Sequence, residues 1–271
     1  MPGIEVDKLQ LAFEEKGGGL PVILLHEFAG TMAAWEPQVQ EFATDHRLIV
    51  YNCRGYPPSS GPAAALDYSQ DLAVEDLRAL MDALSIERAT LIGLSMGGTT
   101  ALNFAVRYPE HVSGLVIASA GSGSDDKPAF VAQLTSLADL LDTEGASVFA
   151  TKFLEGPTRL QLLQKKPQFW KALRDQLASI PASTLSGTIR GVLLKRPTVY
   201  ELEAKLRSLR IPATVLVGDE DNPVLRAAGF LVACLGRSDL VVFRNAGHTL
   251  NLEEPHKFNT VVRRFLVQHS I

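Results

Sequence analysis

The chain has 271 residues, of which 46% are hydrophobic, and carries a formal net charge of −4 at pH 7. This length allows one large core, alone or with a sizeable insertion. An acidic balance without blocks of like charge argues against nucleic-acid or anionic-membrane partners. The sequence has no apolar run of about 18 residues that would predict a membrane span, and residues 1–19 lack the pattern of a secretory signal. Two distant cysteines predict reduced thiols, so we expect a cytoplasmic protein.

Strand and helix patterns alternate over the first 118 residues. Short apolar runs predict strands, and apolar residues at helical spacing predict helices. In chain order the predictions are an edge strand over 6–14, a strand over 20–25, a helix over 32–43, a strand over 47–51, a helix over 67–84, a strand over 89–94, a helix over 96–108 and a strand over 112–118. This alternation predicts an α/β fold, a mostly parallel central sheet with helices on both faces.

The alternation stops between residues 124 and 205. Helical patches punctuated by prolines replace it, at 130–141, 145–154, 169–177, 182–194 and 199–206. Afterwards the alternation resumes, with a strand over 213–218, a helix over 224–235, a strand over 240–243 and a helix over 255–267. We therefore expect a helical insertion, residues 124–205, that lies over a core made of residues 1–123 and 206–271.

One serine stands at an abrupt change from a strand pattern to a helix pattern. It is the centre of Gly93-Leu94-Ser95-Met96-Gly97, a Gly-x-Ser-x-Gly sequence. A sharp strand-to-helix turn exposes the residue at the turn and places it at a helix N-terminus. Glycines are needed where a side chain would clash with such a turn. The pattern predicts Ser95 as a nucleophile.

A serine nucleophile needs a general base, and that base needs an orienting carboxylate. Both are expected in strand-end loops, because sites on open parallel sheets lie at the carboxyl ends of the strands. His248 follows the last predicted strand in a short loop and is the candidate base; among the other histidines only His26 follows a strand. Asp219, Glu220 and Asp221 follow the preceding strand, and position alone does not choose between them.

Attack on a carbonyl also requires donors for the oxyanion that develops. One predicted donor is the backbone N–H of Met96, the residue after the serine. The second is the N–H of Phe28, in the loop 26–30, where small residues allow the backbone to curl beneath a substrate. No sequence feature requires a metal or another cofactor, so none is expected.

Together these motifs resemble the α/β-hydrolase fold family, and the resemblance covers nearly the whole chain. The elbow, the acid and the histidine stand in the family's order. Residues 26–30, 52–59 and 247–255 resemble the family's oxyanion loop, its Arg-Gly loop and its Gly-His ending. The family's acid usually stands third after the glycine that closes its strand, which selects Asp221 over Asp219. The resemblance also implies that the insertion 124–205 is a helical cap over the active site.

Three residues depart from the family's motifs. Glu27 stands where glycine is common, and a carboxylate aimed at an oxyanion would oppose its charge. We therefore expect Glu27 to point away from the oxyanion site, toward Arg54. Asn52 and Pro57 replace the usual aspartate and glycine, which puts the shape of their loop in question.

The resemblance implies a cofactor-free serine hydrolase of the esterase or lactonase kind. Trp170, Phe153 and Phe130 of the insertion are candidate substrate contacts, although most aromatic residues at helical spacing belong to a core. An insertion with few charges at apolar positions favours a small, mostly apolar ester or lactone. The expected partner is this small molecule, without nucleic acid or membrane, and a homodimer is left open.

Other readings of the same site remain. A C–C bond hydrolase of ring-cleavage products shares the triad and cap, but such relatives often have an aromatic residue after the histidine, where Thr249 stands here. Acyl transfer to a thiol or peroxide would use the same serine. A non-enzymatic ligand receptor of this fold can keep the triad, so motifs alone do not exclude it.

Overall fold

The computed structural model describes residues 2–6, 8–62 and 67–271 and is built around an eight-stranded sheet. The strands, in chain order, are β1 (Gly3–Val6), β2 (Leu9–Lys16), β3 (Leu20–Leu25), β4 (His46–Tyr51), β5 (Ala89–Leu94), β6 (Val112–Ala118), β7 (Ala213–Gly218) and β8 (Ser238–Phe243). Their order across the sheet is β1-β2-β4-β3-β5-β6-β7-β8. The β1–β2 and β2–β4 pairs are antiparallel, and all other pairs are parallel. The predicted fold class is confirmed.

The N-terminal segment differs from its prediction. A single edge strand over 6–14 was expected, whereas the structure has two antiparallel strands, β1 and β2. Lys8 lies between them with φ 67, a left-handed conformation that turns the chain back. Asp7, inside the predicted strand, lies outside the described residues.

Helices connect the strands on both faces. They are α1 (Glu36–Phe42), α2 (Gln70–Ala83), α3 (Met96–Arg107), α4 (Lys127–Leu154), α5 (Leu160–Lys165), α6 (Pro167–Ser179), α7 (Ala182–Thr188), α8 (Glu203–Ser208), α9 (Asn222–Cys234), α10 (Leu250–Glu253) and α11 (Pro255–His269). Short 3-10 turns cover Met32–Trp35 and Pro109–His111, and a π-helical turn, Ile189–Leu193, continues α7. Over the described ranges, no helix is both long and apolar enough to cross a membrane.

The central strands are buried on both faces, which explains their continuous apolar sequence. In β3, Ile23 and Leu25 belong to the core cluster on one face of the sheet, together with Leu77 of α2. Val22 and Leu24 belong to the cluster on the opposite face. Alternation along the strand sends successive side chains to opposite faces, so one short strand anchors helices on both sides.

Residues 127–193, from α4 to the π-helical turn, are called the helical layer here. They form a third core cluster that includes Phe28 and Met96 from the loops after β3 and β5. The layer therefore packs on the carboxyl ends of the parallel strands. Gly145, with φ 79 and ψ 175, breaks the long helix α4 at the boundary between two predicted patches. The division of the chain at 124 and 205 stays a prediction.

Candidate active site

The turn between β5 and α3 holds Ser95 in a strained conformation. Its φ of 53 and ψ of −109 lie in a region that non-glycine residues rarely adopt. A Cβ on Gly97 would lie 2.1 Å from the carbonyl oxygen of Leu25, and one on Gly93 would lie 2.4 Å from the Gly97 backbone. The strand and helix can therefore meet this closely only because both residues are glycines. Ser95 stands at the N-terminus of α3, where the helix dipole favours negative charge.

The loop after β8 places His248 against a carboxylate. His248 Nδ1 lies 2.7 Å from Asp221 Oδ2, and both side chains are buried. The neighbouring acids are used elsewhere: Asp219 Oδ1 accepts the Ala246 N–H at 3.3 Å, and Glu220 Oε2 accepts from a glutamine. Local turn geometry thus brings Asp221, and not Asp219 or Glu220, to the histidine.

Ser95, Asp221 and His248 line one cavity of about 230 Å³. This cavity lies between the strand ends and the helical layer, and Phe28 also lines it. No hydrogen bond joins Ser95 Oγ to His248 Nε2 within the described residues. Hydrogen bonds between nucleophile and base are often long before substrate binds. The structure thus brings the three side chains to one cavity, and their roles stay a prediction.

Of the two residues predicted to supply oxyanion donors, Phe28 lines this cavity, whereas Met96 is not among the lining residues and directly follows Ser95, which is. Met96 is the first residue of α3, and its N–H has no partner inside the helix. Neither the Met96 N–H nor the Phe28 N–H donates a hydrogen bond within the described part of the chain. The hydroxyl of Tyr56 holds the Phe28 carbonyl in place by donating a hydrogen bond to it at 2.9 Å.

His26 anchors the loop that carries Phe28. Its Nε2 accepts the Cys53 N–H at 3.0 Å, so the proton of the neutral ring is on Nδ1, which donates to the Glu27 carbonyl at 2.7 Å. Burial lowers the pKa of His26 to about 4, against the opposing effects of the Glu27 carbonyl and carboxylate. Both ring nitrogens are therefore occupied in holding two loops, and His26 is not available as a base for Ser95.

Glu27 does not point toward Arg54, as the sequence prediction had it. Its carboxylate forms a buried two-bond pair with Arg159, with Oε1–Nη1 at 3.0 Å and Oε2–Nη2 at 2.6 Å. Arg54 is engaged by Asp76 through its Nε and Nη2 atoms. The prediction failed because Arg159 comes from the helical layer, 132 residues away. Although burial raises the pKa of Glu27, the Arg159 guanidinium holds it below its usual value.

The carboxylate of Glu27 also faces the base. Its Oε2 lies 4.0 Å from His248 Nε2, the atom that would receive the serine proton. Glu27 is not among the residues that line the cavity. The buried guanidinium of Arg159 pairs with this carboxylate, so the negative charge of Glu27 is compensated beside the predicted oxyanion site.

The amide of Asn52 explains one departure from the family's motif. Asn52 Oδ1 accepts the Met32 N–H at 2.7 Å, and Nδ2 donates to the Pro57 carbonyl at 2.7 Å. An aspartate could accept the first bond but could not donate the second. The side chain at position 52 thus ties the loop after β3 to the loop 53–59.

The sequence did not reveal the segment that docks the helical layer onto the site. The Thr158 carbonyl accepts the His248 N–H at 2.8 Å, next to the Glu27–Arg159 pair. Gln161 Nε2 donates to Glu220 at 2.5 Å. No local pattern encodes these contacts, since they depend on which loops meet in three dimensions. Residues 158–161 therefore fix the histidine, acid and oxyanion loops together.

Glu253 supports the histidine loop from the other side. Its carboxylate accepts the N–H of Gly247 at 2.7 Å and both the N–H and the hydroxyl of Thr249 at 2.9 Å. Burial raises the pKa of Glu253 despite these hydrogen bonds. The resemblance of residues 247–255 to the family's Gly-His ending included this residue without indicating its contacts.

The three candidate aromatic residues have different positions. Phe130 and Phe153 line the cavity. Trp170 is not among its lining residues: its indole N–H donates to the Leu154 carbonyl at 3.1 Å inside the helical layer. Trp170 is thus a core residue of the layer, which corrects its assignment as a substrate contact. Among the residues that the structure describes, no group of three or more His, Cys, Asp or Glu side chains is placed to hold a metal ion.

A family model described as the alpha/beta hydrolase fold matches residues 21–255. The chain belongs to the α/β-hydrolase fold family. The match spans every strand from β4 to β8, together with the Ser95, Asp221 and His248 positions. The family resemblance of the motifs is confirmed.

Relatives with different names share most of the chain. The 3-oxoadipate enol-lactonase 2 of Acinetobacter baylyi is 27% identical over 90% of this chain and 90% of its own length. The 2-hydroxymuconate semialdehyde hydrolase of Pseudomonas sp. (strain CF600) is 28% identical over 94% and 89%. A solved thermophilic esterase from Thermogutta terrifontis has a TM-score of 0.85 and 26% identity, covering 96% of this chain and 94% of that one.

Proposed function

We propose that the protein is a serine hydrolase that cleaves a carboxylic ester or lactone of a small, mostly apolar substrate through an acyl-enzyme. Ser95 is the nucleophile, His248 the general base and Asp221 the orienting carboxylate. The backbone N–H groups of Phe28 and Met96 stabilise the oxyanion. The similar proteins that are named enol-lactonase and esterase support this reaction type.

One observation carries the proposal. A serine held at a strained strand-to-helix turn shares a cavity with a histidine whose Nδ1 lies 2.7 Å from a buried carboxylate. Strain at such a position costs about 1–3 kcal/mol, and it persists only where the surrounding structure imposes it. A buried carboxylate at Nδ1 holds the proton of the neutral imidazole on that nitrogen, which leaves Nε2 able to accept a proton.

The proposed reaction has two halves. Ser95 Oγ attacks the substrate carbonyl while His248 Nε2 takes the hydroxyl proton, and the oxyanion is held by the two N–H groups. The C–O bond to the leaving alcohol then breaks, and the alcohol departs with the proton from His248. His248 then takes a proton from a water molecule as this water attacks the acyl-enzyme, and it passes the proton to Ser95 Oγ as the bond between the acyl group and the serine breaks and the acid is released.

The negative charge of Glu27 lies close to His248 in both halves of the proposed reaction. The imidazolium formed at each step has Asp221 at Nδ1 and the Glu27 carboxylate 4.0 Å from Nε2. Both carboxylates stabilise the positive charge that develops on the ring in the transition state. Arg159 limits the effect of Glu27 on the oxyanion, because its guanidinium pairs with the same carboxylate.

A substrate panel tests the proposal. Short-chain 4-nitrophenyl esters, lactones and a vinylogous diketone are assayed with the wild type, Ser95→Ala and the control Ser113→Ala. Ser113 lies on β6 and does not line the cavity. We expect multiple turnover of esters or lactones that Ser95→Ala loses and Ser113→Ala keeps. Activity retained by Ser95→Ala would reject Ser95 as the nucleophile.

A C–C bond hydrolase is the second candidate, favoured by the similarity to 2-hydroxymuconate semialdehyde hydrolase. In such hydrolases an aromatic residue often follows the histidine, where this chain has Thr249. The side chain of Thr249 is buried, and its hydroxyl donates a hydrogen bond to Glu253. Its side chain therefore supports the loop. Faster turnover of the vinylogous diketone than of any ester would favour this candidate, and stoichiometric labelling without turnover would favour a receptor.

A further inference from the structure

Arg196 is a buried cation at this cavity that pairs with no carboxylate among residues 2–6, 8–62 and 67–271. Arg196 follows the helical layer, is 6% exposed and lines the same cavity as Ser95. Its Nη2 donates to the carbonyl and hydroxyl of Ser122 at 3.0 and 3.1 Å, and its Nη1 lies 3.4 Å from Thr99 Oγ1. All of these partners are neutral. No carboxylate of the described residues lies within 4.0 Å of this guanidinium.

The other buried arginines differ from Arg196 in this respect. Arg54 pairs with Asp76, and Arg159 pairs with Glu27, each through two hydrogen bonds to a buried carboxylate. Buried charges in proteins are normally paired in this way, because removing a charge from water without a partner is costly. Burial lowers the pKa of Arg196 to about 10, which still leaves the side chain cationic at neutral pH.

The position of Arg196 relative to the nucleophile is fixed by α3. Thr99, which the guanidinium approaches, is one helical turn after Ser95, and its N–H donates to the Ser95 carbonyl at 2.9 Å. One turn of helix is about 5.4 Å long. An anion on Arg196 would therefore lie a few carbon atoms away from a carbonyl at Ser95.

An apolar part of the lining fits the uncharged part of such a molecule. Phe130 has its ring centroid 5.8 Å from the Arg196 guanidinium carbon, and Phe28, Phe153 and Leu134 supply further apolar surface. Asp221 is the carboxylate in the lining, and it is occupied by His248. The cavity thus offers an apolar wall, a reacting serine and one uncompensated positive charge.

We propose that Arg196 binds a carboxylate of the substrate, so that the ester or lactone cleaved at Ser95 carries a free acid group a few carbon atoms from the scissile carbonyl. This inference rests on the proposed function and narrows its substrate class to half-esters or lactones of dicarboxylic acids. Within the described residues, the Nε N–H and one Nη1 N–H of Arg196 donate to no protein atom, so the cation can still donate charge-assisted hydrogen bonds to a carboxylate.

The kinetic test uses two substrates that differ only in charge. 4-Nitrophenyl hemiglutarate carries the acid, and its methyl ester masks it. The wild type should have the higher kcat/KM for the acid. Arg196→Gln should lower kcat/KM for the acid about 30-fold or more, the loss expected for one partner of a buried charge pair, and should change it little for the methyl ester. Arg196→Lys should recover part of the preference.

Two control variants separate Arg196 from other cations. Arg190→Gln removes an exposed arginine on the same segment that pairs with Asp139 and Asp142. Lys152→Gln removes the half-exposed lysine of the lining, which pairs with Glu144. Both should keep the preference for the acid. Equal losses for both substrates in Arg196→Gln, or loss of the preference in Lys152→Gln alone, would overturn the proposal.

A binding experiment keeps the test independent of turnover. Glutaric acid monoanilide, an uncleaved amide analogue, is titrated by calorimetry into Ser95→Ala and into Ser95→Ala carrying Arg196→Lys or Arg196→Gln. We expect Ser95→Ala with Arg196 intact to bind the analogue most tightly, the protein with Arg196→Lys less tightly and the protein with Arg196→Gln least tightly. Binding with this order in a protein that hydrolyses no ester would reject the proposed function and keep the carboxylate site. Equal binding by the Arg and Gln forms would reject the site.

Discussion

Removing Arg159 should destabilise the protein by leaving a carboxylate buried without its partner. The Glu27 and Arg159 side chains are only 2% and 6% exposed, and two hydrogen bonds of 3.0 and 2.6 Å join them. Breaking such a pair by removing one partner typically costs about 3–5 kcal/mol. Arg159→Met keeps an unbranched apolar stem but removes the charge, together with the guanidinium that lies 4.5 Å from the centroid of the Phe153 ring. We therefore expect the free energy of unfolding to fall by about 3–5 kcal/mol at pH 7.

Urea denaturation of matched variants measures this effect. Glu27→Gln combined with Arg159→Met removes both charges and should recover most of the loss, because an uncharged buried pair of similar volume is often as stable as the ion pair. Arg190→Met, which breaks an exposed pair with Asp139, should cost less than about 1 kcal/mol. A loss in Arg159→Met no larger than in Arg190→Met, or no recovery in the double variant, would refute the reasoning.

The sign of the pH dependence provides a second readout. Arg159 holds the pKa of Glu27 below its usual value, so the pair contributes stability at neutral pH and loses it as the pH falls through the folded-state pKa. In Arg159→Met, the orphaned carboxyl can take up a proton instead, so the penalty should shrink as the pH is lowered.

Three further predictions concern the loops around the site. Because burial lowers the pKa of His26 to about 4, the free energy of unfolding should decline by about 3 kcal/mol between pH 6.5 and 4. His26→Asn should flatten this decline when denaturation midpoints are measured against pH. Wild-type and variant midpoints that fall in parallel would contradict the prediction. Gly97→Ala should lower the free energy of unfolding by about 1–3 kcal/mol or more, because its Cβ would lie 2.1 Å from the carbonyl oxygen of Leu25 at the end of β3. Gly229→Ala, on α9 where a Cβ would meet nothing, should raise it by roughly 0.5–1 kcal/mol. Asn52→Asp loses the donor to the next loop and should lower thermal stability, while Asn52→Ser, which can still donate, should lose less.

The local parts of this fold could be predicted from sequence. The apolar run of β5 and the glycines around Ser95 are the direct consequence of a strand buried on both faces that turns tightly into a helix. His248 could be placed near the serine, because the carboxyl ends of parallel strands meet at one edge of a sheet. The predicted helix 67–84 starts later in the structure, at Gln70, where Ser69 caps it by accepting the Leu72 N–H.

The contacts that depend on the helical layer could not be predicted. The partner of Glu27 is 132 residues away, and neither sequence neighbourhood indicates it. The short helix α5 was missed because six residues give too little periodicity. Trp170 looked like any other aromatic residue at helical spacing, and only the packing of α6 shows that its ring is internal. The contacts of the helical layer with the site thus come from the segment whose sequence pattern is least informative.

Trapping the covalent intermediate tests the central claim most directly. The enzyme is mixed with a short-chain 4-nitrophenyl ester, quenched in acid within milliseconds, digested and analysed by mass spectrometry. We expect one acyl group on the peptide that contains Ser95, formed in a burst of nitrophenol, and no adduct in Ser95→Ala. Turnover without an adduct, an adduct on another residue, or hydrolysis at the wild-type rate by Ser95→Ala would contradict a mechanism through Ser95.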